Sequence, residues 1–424
     1  MDEKNLALEA IRKKLVGKKL NYKEIYAVMD EIAHARLGDV LTTYFVASGY
    51  SEGFSDEELY YLTRAMVETG EKLHFRGLVA DKHSIGGVPG TRVTIIIVPI
   101  IAACGFKIPK SSSRAITTPA GTADAMEVLA SVTFTKEQIY KIVKKTNACI
   151  VWGGSVNIAP ADDEIIKIEE PLLFESYDKI VVSVMAKKVA FGASHVIIDL
   201  PYGRSVKIHK LRDAKVLKRK FQFLGKKFNI KVDALIYKSN EPAGDGIGPL
   251  LEARDALKVL EQAEDRPIAL EELALDLASK LLKLSLEDAP KDIKESYEKS
   301  YKNPREWAKD ILVSGRARKK LYEIIEAQGG DPKIRSEDLK PGKYCSVLEA
   351  GFDGTVTEII SKNITTIAKI LGAPADKKAG MVLHKRIGEK VIKGNEIISL
   401  YSDSEYRLQE AIDTLDLFPV FEIQ

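Results

Sequence analysis

Apolar residues recur at helical spacing through the first part of the chain and then give way to short apolar runs. The helical spacing occurs in LALEAIRKKLVG, YKEIYAVMDEIAHARLG, DVLTTYFVASGY and SDEELYYLTRAMVETG, which predict helices over residues 1 to about 76. Ser55 followed by Glu58 fits a capping box at the start of the last of these segments. The chain is therefore expected to begin with a helical region.

From Gly77 the pattern favours strands that alternate with helices. The runs ACIVWGG, HVIIDLP and KFNIKVDALIY predict buried strands, and residues 136–147, YDKIVVSVMAKKVAFG and LLEARDALKVLEQ predict helices. Residues 93–108 form an apolar, strand-like run, and DDEIIKIEEPLLFE has a mixed pattern. After Pro341, short strands split by glycine turns precede a final helix and an edge strand. The predicted fold class is α/β, with a helical domain, a larger mixed α/β sheet domain and a small C-terminal α+β domain.

Composition and charge narrow the class of protein. The chain has 424 residues, 45% of them apolar and 29% charged, which is typical of a soluble globular protein of two or three domains. A net charge of +3 gives no electrostatic argument for nucleic-acid binding, and the longest apolar run, residues 93–104, is too short to span a membrane. The charged N-terminus is unlike a secretory signal, and the histidines show no metal-ligand spacing. We therefore expect a cytoplasmic protein with no metal site.

Two glycine- and hydroxyl-rich segments between residues 81 and 126 are the strongest candidates for chemistry. The first reads DKHSIGGVPGTR and the second PKSSSRAITTPAGTADAM, and each has one basic residue in a predicted polar turn, Lys82 and Arg114. Glycines let backbone N–H groups approach a ligand, hydroxyls donate hydrogen bonds, and a cation balances charge. Two such loops around one buried element predict phosphate binding, although either could be an ordinary connection.

Other polar positions could complete such a site, each with a structural alternative. Glu175, in the break PLLFESYD, could serve as a general acid beside an apolar wall, or be a solvated loop glutamate. Ser183 and Lys187 lie four apart on one predicted helix face, although Ser183 could simply bond to its own helix backbone. Lys207 follows the turn PYGRS after a predicted strand, where α/β sheets place ligand contacts, or is a surface lysine.

The motifs DKHSIGGV and SSRAITTPAGTADAMEVL together resemble the signature of the thymidine phosphorylase family. The form SSRAIT–PAGTAD, with VWGGSVNIAPADD downstream, is more similar to archaeal-type AMP phosphorylases, and the resemblance covers essentially the whole chain. It implies a helical domain of residues 1–67 and 158–191, an α/β phosphate-binding domain of 77–157 and 192–340, and a C-terminal domain of 341–424. It also implies an active site in the cleft between the first two domains and a homodimer, or a larger assembly.

The resemblance also implies a reaction and a set of site residues. AMP and inorganic phosphate would give adenine and ribose 1,5-bisphosphate, with phosphate as a co-substrate and no cofactor. Carried over position by position, the phosphate would contact Lys82, Ser84, Thr94, Ser112 and Thr122. The nucleotide would contact Gly87, Ser113, Arg114, Ala115, Ile116, Thr117, Thr118, Thr122, Ser183 and Lys207. The proton donor would be Glu175.

The sequence departs from the AMP phosphorylase pattern in two ways. The family's proton donor is an aspartate in a turn resembling LDPEG, whereas the matching position here is Glu175 in LFESY, with an acid one methylene longer. AMP phosphorylases usually carry an additional N-terminal domain that supports multimer formation, whereas this sequence starts at the helical domain. We therefore expect a homodimer.

Three alternatives remain at this point. A pyrimidine nucleoside phosphorylase would have an arginine just upstream of the acidic turn, where this sequence reads KIEEPL. A phosphoribosyltransferase would show an acidic magnesium site, which the sequence lacks. A non-catalytic homologue would be favoured by loss of Lys82, Ser84 or Arg114, and all three are present.

Overall fold

The helical spacing at the start of the chain produces four helices that pack together. They are α1 (Glu3–Leu15), α2 (Tyr22–Ala33), α3 (Asp39–Glu52) and α4 (Asp56–Glu68). The predicted capping box is confirmed, because Ser55 Oγ accepts the Glu58 N–H at 3.3 Å and Glu58 Oε2 accepts the Ser55 N–H at 2.9 Å. The computed structural model describes residues 3–115, 118–172 and 176–424.

The chain divides into two compact units. The first takes the described residues within 1–83, 153–198 and 215–234, and the second takes those within 84–152, 199–214 and 235–424. The predicted boundaries of three domains stay a prediction. Among the described residues, no helix combines the length and the apolar character needed to cross a membrane.

Strands and helices alternate from residue 80 onward, as the sequence pattern predicts. The strands are β1 (Ala80–Ser84), β2 (Ile108–Ser112), β3 (Ala148–Trp152), β4 (His195–Tyr202) and β5 (Lys231–Lys238). The helices between them are α5 (Thr94–Ala103), α6 (Thr122–Glu127), α7 (Lys136–Thr146), α8 (Pro160–Leu172), α9 (Tyr177–Ala190) and α10 (Leu211–Lys227). Strands β1, β4 and β5 form one sheet in the order β1-β4-β5, and β2 pairs in parallel with β3. The mixed segment DDEIIKIEEPLLFE contributes most of α8.

The prediction of a strand-like element between the two loops is wrong, because most of that run folds as helix α5. All its residues from Thr94 to Ala102 are buried, and Pro99 lies inside the helix. A helix that is apolar on every face has no amphipathic period to distinguish it from a buried strand. It packs against α6, against four helices further along the chain, and against β2 and β3. Those four helices are α11 (Pro249–Glu261), α12 (Ile268–Leu286), α14 (Pro304–Val313) and α15 (Arg316–Ala327). Helix α13 (Lys291–Ser300) lies between α12 and α14 in the chain.

The C-terminal region contains two antiparallel sheets and two helices. Its elements are β7 (Tyr344–Glu349), β8 (Gly354–Ile359), α16 (Ser361–Leu371), β9 (Gly380–Leu383), β10 (Lys390–Val391), β11 (Glu396–Ser402), α17 (Glu405–Leu415) and β12 (Phe421–Ile423), and β6 (Gly246–Ile247) joins them from earlier in the chain. The strand orders are β6-β9-β11-β7 and β10-β8-β12. The final helix and edge strand are confirmed, whereas α16 occupies SKNITTIAKIL, for which short strands were predicted.

Candidate active site

Lys82 lies inside β1, so the prediction that it sits in a loop turn is wrong. Its neighbour Asp81 is buried and forms an ion pair with Lys188 of α9, with 2.6 Å between Lys188 Nζ and Asp81 Oδ2. Asp81 Oδ1 accepts the backbone N–H of Lys82 at 2.7 Å. The Asp81 carboxylate therefore ties the main chain at Lys82 to α9 within the first unit.

Helix α9 directs Ser183 and Lys187 to one buried carboxylate of α8. Asp162 Oδ2 accepts the Ser183 hydroxyl at 2.7 Å and lies 2.6 Å from Lys187 Nζ, which is itself 3.3 Å from Ser183 Oγ. Burial opposes ionisation of Asp162, but the ammonium groups of Lys187 and Lys179 outweigh it and lower its pKa. The predicted Ser183–Lys187 pairing on one helix face is confirmed. Asp162 lies in the motif VNIAPADD, but that motif does not indicate that Ser183 and Lys187 contact it.

In the second unit, the first glycine-rich loop packs against the turn that follows β4. Ser84 Oγ donates to Asp199 Oδ2 at 2.5 Å. Gly87 has a φ of +86°, and a Cβ at this position would meet Lys207 Cγ at 2.9 Å. Glycine is therefore required at position 87 both for its backbone conformation and for the close approach of Lys207. The structure brings together Gly87 and Lys207, two residues predicted to bind the nucleotide.

The second loop is closed by a single carboxylate. Asp124 Oδ2 accepts the N–H of Ala115 at 2.7 Å and that of Gly121 at 2.9 Å, so both ends of the segment between them are held. A Cβ on Gly121 would meet the Ser113 carbonyl oxygen at 2.5 Å, so only glycine allows this crossing of the chain. Gly121 and Asp124, which make these contacts, both belong to the PAGTAD motif.

Arg114 is held by two acidic residues of α6. Its guanidinium makes two 2.7 Å hydrogen bonds to Glu127, one of 3.2 Å to Asp124, and lies over the Trp152 ring at 4.9 Å. These bonds raise the pKa of Arg114 and, with Lys377, lower the pKa of Glu127 to about 2. The guanidinium therefore anchors the loop to α6. The sequence had suggested only that Arg114 balances the charge of a bound anion.

Arg92 joins the first loop to the second. Its guanidinium donates to the Ala120 carbonyl at 2.8 Å and to Thr122 Oγ1 at 3.4 Å, and its Nε donates to Glu252 Oε2 at 2.7 Å. Burial raises the pKa of Glu252, although Arg92 opposes that shift. Arg92 is the last residue of the motif DKHSIGGVPGTR. A basic residue in a glycine-rich segment was the sequence feature that could have pointed to its role.

The predicted phosphate contacts of the second unit include two buried hydroxyls. Thr94 is the first residue of α5, and Ser112 is the last residue of β2. Within the described part of the chain, Ser112 Oγ is buried and has no hydrogen-bond partner. A buried hydroxyl without a partner costs free energy unless a ligand or water satisfies it, so this atom is suited to a bound anion.

The remaining predicted residues fall at the second loop and in the α8–α9 connection. Ser113 is exposed, Ala115 is half-buried, and Thr118 donates to the Ala120 carbonyl at 2.9 Å. Ile116, Thr117 and Glu175 lie outside the described residues. Their roles as nucleotide contacts and proton donor stay predictions.

Three family models match the chain. They are the helical bundle domain of a glycosyl transferase family over residues 8–70, the a/b domain of a glycosyl transferase family over 76–221, and the pyrimidine nucleoside phosphorylase C-terminal domain over 355–417. Two solved anthranilate phosphoribosyltransferases share the fold. The Thermus thermophilus structure has a TM-score of 0.60 at 16% identity, covering 75% of this chain and 99% of that one. The Saccharomyces cerevisiae structure has a TM-score of 0.57 at 13% identity, covering 76% and 97%. The predicted fold class is confirmed, and the protein is a glycosyltransferase enzyme.

Curated relatives define the family more narrowly. An AMP phosphorylase of Methanococcus maripaludis is 43% identical over 412 residues, which cover 97% of this chain and 79% of the relative. AMP phosphorylases of Methanocaldococcus jannaschii (43%, covering 97% and 79%) and Thermofilum pendens (43%, covering 95% and 76%) are similarly close. The chain belongs to the thymidine/AMP phosphorylase family, as its motifs indicated.

Proposed function

We propose that this enzyme transfers the pentosyl group of AMP to inorganic phosphate, giving adenine and ribose 1,5-bisphosphate. The observation that carries the proposal is the 43% identity to AMP phosphorylases over 97% of the chain. The SSRAIT–PAGTAD segment, the buried Ser112 hydroxyl and the Gly87–Lys207 approach support it, because hydroxyls, glycines and a cation are the groups that bind anions. Phosphate is a co-substrate in this proposal, and the reaction uses no metal or other cofactor.

The chemistry is a substitution at C1′ of the ribose. A phosphate oxygen forms a bond to C1′ while the bond from C1′ to the purine nitrogen breaks, and the bonding electron pair leaves with the base. Glu175 donates a proton to the purine ring, which neutralises the leaving base. Lys82, Ser84, Thr94, Ser112 and Thr122 hold the attacking phosphate. Residues 113–118, with Gly87, Ser183, Lys207 and Thr122, hold the nucleotide, so that two anionic groups are kept in line with the sugar carbon.

We further propose a homodimer in the cytoplasm. Cys104 and Cys345 are both thiols rather than disulfide partners, which supports a reducing compartment. The dimer rests on the resemblance to the thymidine phosphorylase family. Equilibrium sedimentation at several protein concentrations would test it.

Asp162→Asn is expected to raise the KM for AMP about tenfold, because hydrogen bonds to charged groups typically contribute about 1.5–3 kcal/mol. The substitution removes the charge that holds Lys187 and offers Ser183 a different acceptor. Steady-state kinetics at varied AMP would measure the change. Glu164→Gln, on the same helix but in a surface pair with Lys167, is the matched control and should behave as wild type. An unchanged KM in Asp162→Asn would show that the contacts of Asp162 with Ser183 and Lys187 do not contribute to nucleotide binding.

A phosphate-dependent base-release assay across nucleosides and their 5′-monophosphates tests the proposed function. We expect AMP to be turned over fastest, and no base to be released when phosphate is omitted. Faster turnover of unphosphorylated nucleosides would support the alternative of a nucleoside phosphorylase. No release from either class of substrate would favour a non-catalytic homologue.

A further inference from the structure

Lys377, in the C-terminal region between α16 and β9, forms two ion pairs with acidic residues of α6. Its Nζ lies 3.0 Å from Asp124 Oδ1 and 3.0 Å from Glu127 Oε2. The backbone of Lys377 is held as well, because its carbonyl accepts the N–H of Leu250 in α11 at 3.0 Å. All of these residues belong to the second unit. The ammonium group therefore reaches α6 from an anchored main chain.

The two carboxylates that Lys377 contacts are those that shape the second loop. One oxygen of Asp124 accepts the N–H groups of Ala115 and Gly121, and the other lies between Arg114 and Lys377. Glu127 receives both arms of the Arg114 fork and also contacts Lys377. Lys377 thus fixes the orientation of the Asp124 carboxylate, which closes the loop. The two residues are 253 positions apart in the sequence.

The cluster of Arg114, Asp124, Glu127 and Lys377 is balanced in charge. Two cations face two carboxylates, and Asp124 is almost completely buried, with 3% of its side chain exposed. Removing the Lys377 ammonium would leave one net negative charge beside a loop that must accept an anionic nucleotide. Electrostatics and loop order would therefore both work against binding.

We propose that Lys377 is a positioning residue for the nucleotide loop, so that the C-terminal region contributes directly to the order of the binding site. The expected effect on the KM for AMP rests on the proposed function, in which this loop binds AMP. Its structural part, that Lys377 holds Ala115 and Gly121 in place through Asp124, stands on the contacts alone.

Lys377→Met, Lys377→Arg and the control Lys378→Met test this assignment. Lys378 is the exposed neighbour, so its replacement removes the same charge from the same segment without touching α6. In Lys377→Met we expect the KM for AMP to rise about three- to tenfold with kcat at saturation nearly unchanged. Lys377→Arg, which keeps the charge, should recover most of the affinity, and Lys378→Met should match wild type.

Amide hydrogen exchange of peptides spanning residues 113–122 gives a readout that needs no activity. Exchange in Lys377→Met should be about tenfold faster than in wild type, because local opening becomes easier when the Asp124 anchor loosens. Unchanged exchange in this variant would overturn the proposal, and so would faster exchange with an unchanged KM. If wild type fails to use AMP, the proposed function fails, while the exchange comparison still decides whether Lys377 orders the loop.

Discussion

Glu175→Gln is expected to lower kcat for AMP phosphorolysis by roughly 100- to 10 000-fold, the usual contribution of general acid–base catalysis. Glutamine keeps the size and hydrogen-bonding shape of the side chain but has no acidic proton to give to the departing purine. Binding of AMP should stay close to wild type, since the proposed role of Glu175 is to protonate the leaving base and not to hold the phosphate groups. The expected result is therefore a loss in kcat with little change in AMP affinity.

Single-turnover rates and equilibrium AMP binding, measured on the same preparations, separate the two effects. Glu164→Gln is again the control for loss of one carboxylate in the same region. Glu175→Asp is also informative, because it keeps an acid at this position but shortens the side chain by one methylene. Full activity in Glu175→Gln would show that the proton comes from another group. Weak binding with normal single-turnover chemistry would make Glu175 a binding residue.

The helices on either side of position 175 are tied to each other by their own side chains. Helix α8 ends at Leu172, and α9 begins at Tyr177 with Ser176 as its cap, where Ser176 Oγ accepts the Lys179 N–H at 3.1 Å. Lys179 Nζ in turn lies 2.5 Å from Glu169 Oε2 of α8. Glu175→Gln leaves Glu169, Ser176 and Lys179 unchanged, so we expect the packing of α8 against α9 to stay as in wild type.

The sequence predicted elements well where the pattern had a clear period and less well where it had none. The amphipathic helices α2 and α4 and the strand β4 follow their patterns. Helix α5 did not, because a run of β-branched apolar residues buried on every face is compatible with either structure until its neighbours are known. Helix α16 was missed because the glycines around it favoured turns between short strands.

The site shows the same division between local and long-range information. Motifs identified the loops, and the Gly87 and Gly121 geometry agrees with what those motifs require. Partners far apart in sequence were not predictable. Lys377 lies 253 residues from Asp124, and Lys188 lies 107 residues from Asp81. Such pairs depend on how elements pack, which spacing along one sequence does not encode.

Asp81→Asn is expected to destabilise the protein by about 3–5 kcal/mol, because breaking a buried ion pair by removing one partner leaves the other charge buried and uncompensated. Lys188 is completely buried and Asp81 is 1% exposed, with 2.6 Å between Nζ and Oδ2. Asparagine can still accept the Lys82 N–H, but it cannot neutralise Lys188. The KM for phosphate should rise too, because Asp81 holds the main chain of the proposed phosphate ligand Lys82.

The chain provides a matched control for this prediction in the same unit. Lys218 and Asp233 form an ion pair with the same 2.6 Å separation, but their side chains are 31% and 34% exposed. Asp233→Asn should therefore cost less than about 1 kcal/mol, as exposed pairs do. Urea unfolding gives the loss in stability of each variant. Asp81→Asn combined with Lys188→Met should recover part of that loss, because the Lys188 charge that had lost its partner is removed as well. Equal losses in the two single variants would contradict the prediction. If Asp81→Asn is destabilised but its KM for phosphate is unchanged, the buried Asp81–Lys188 pair contributes to stability and not to phosphate binding.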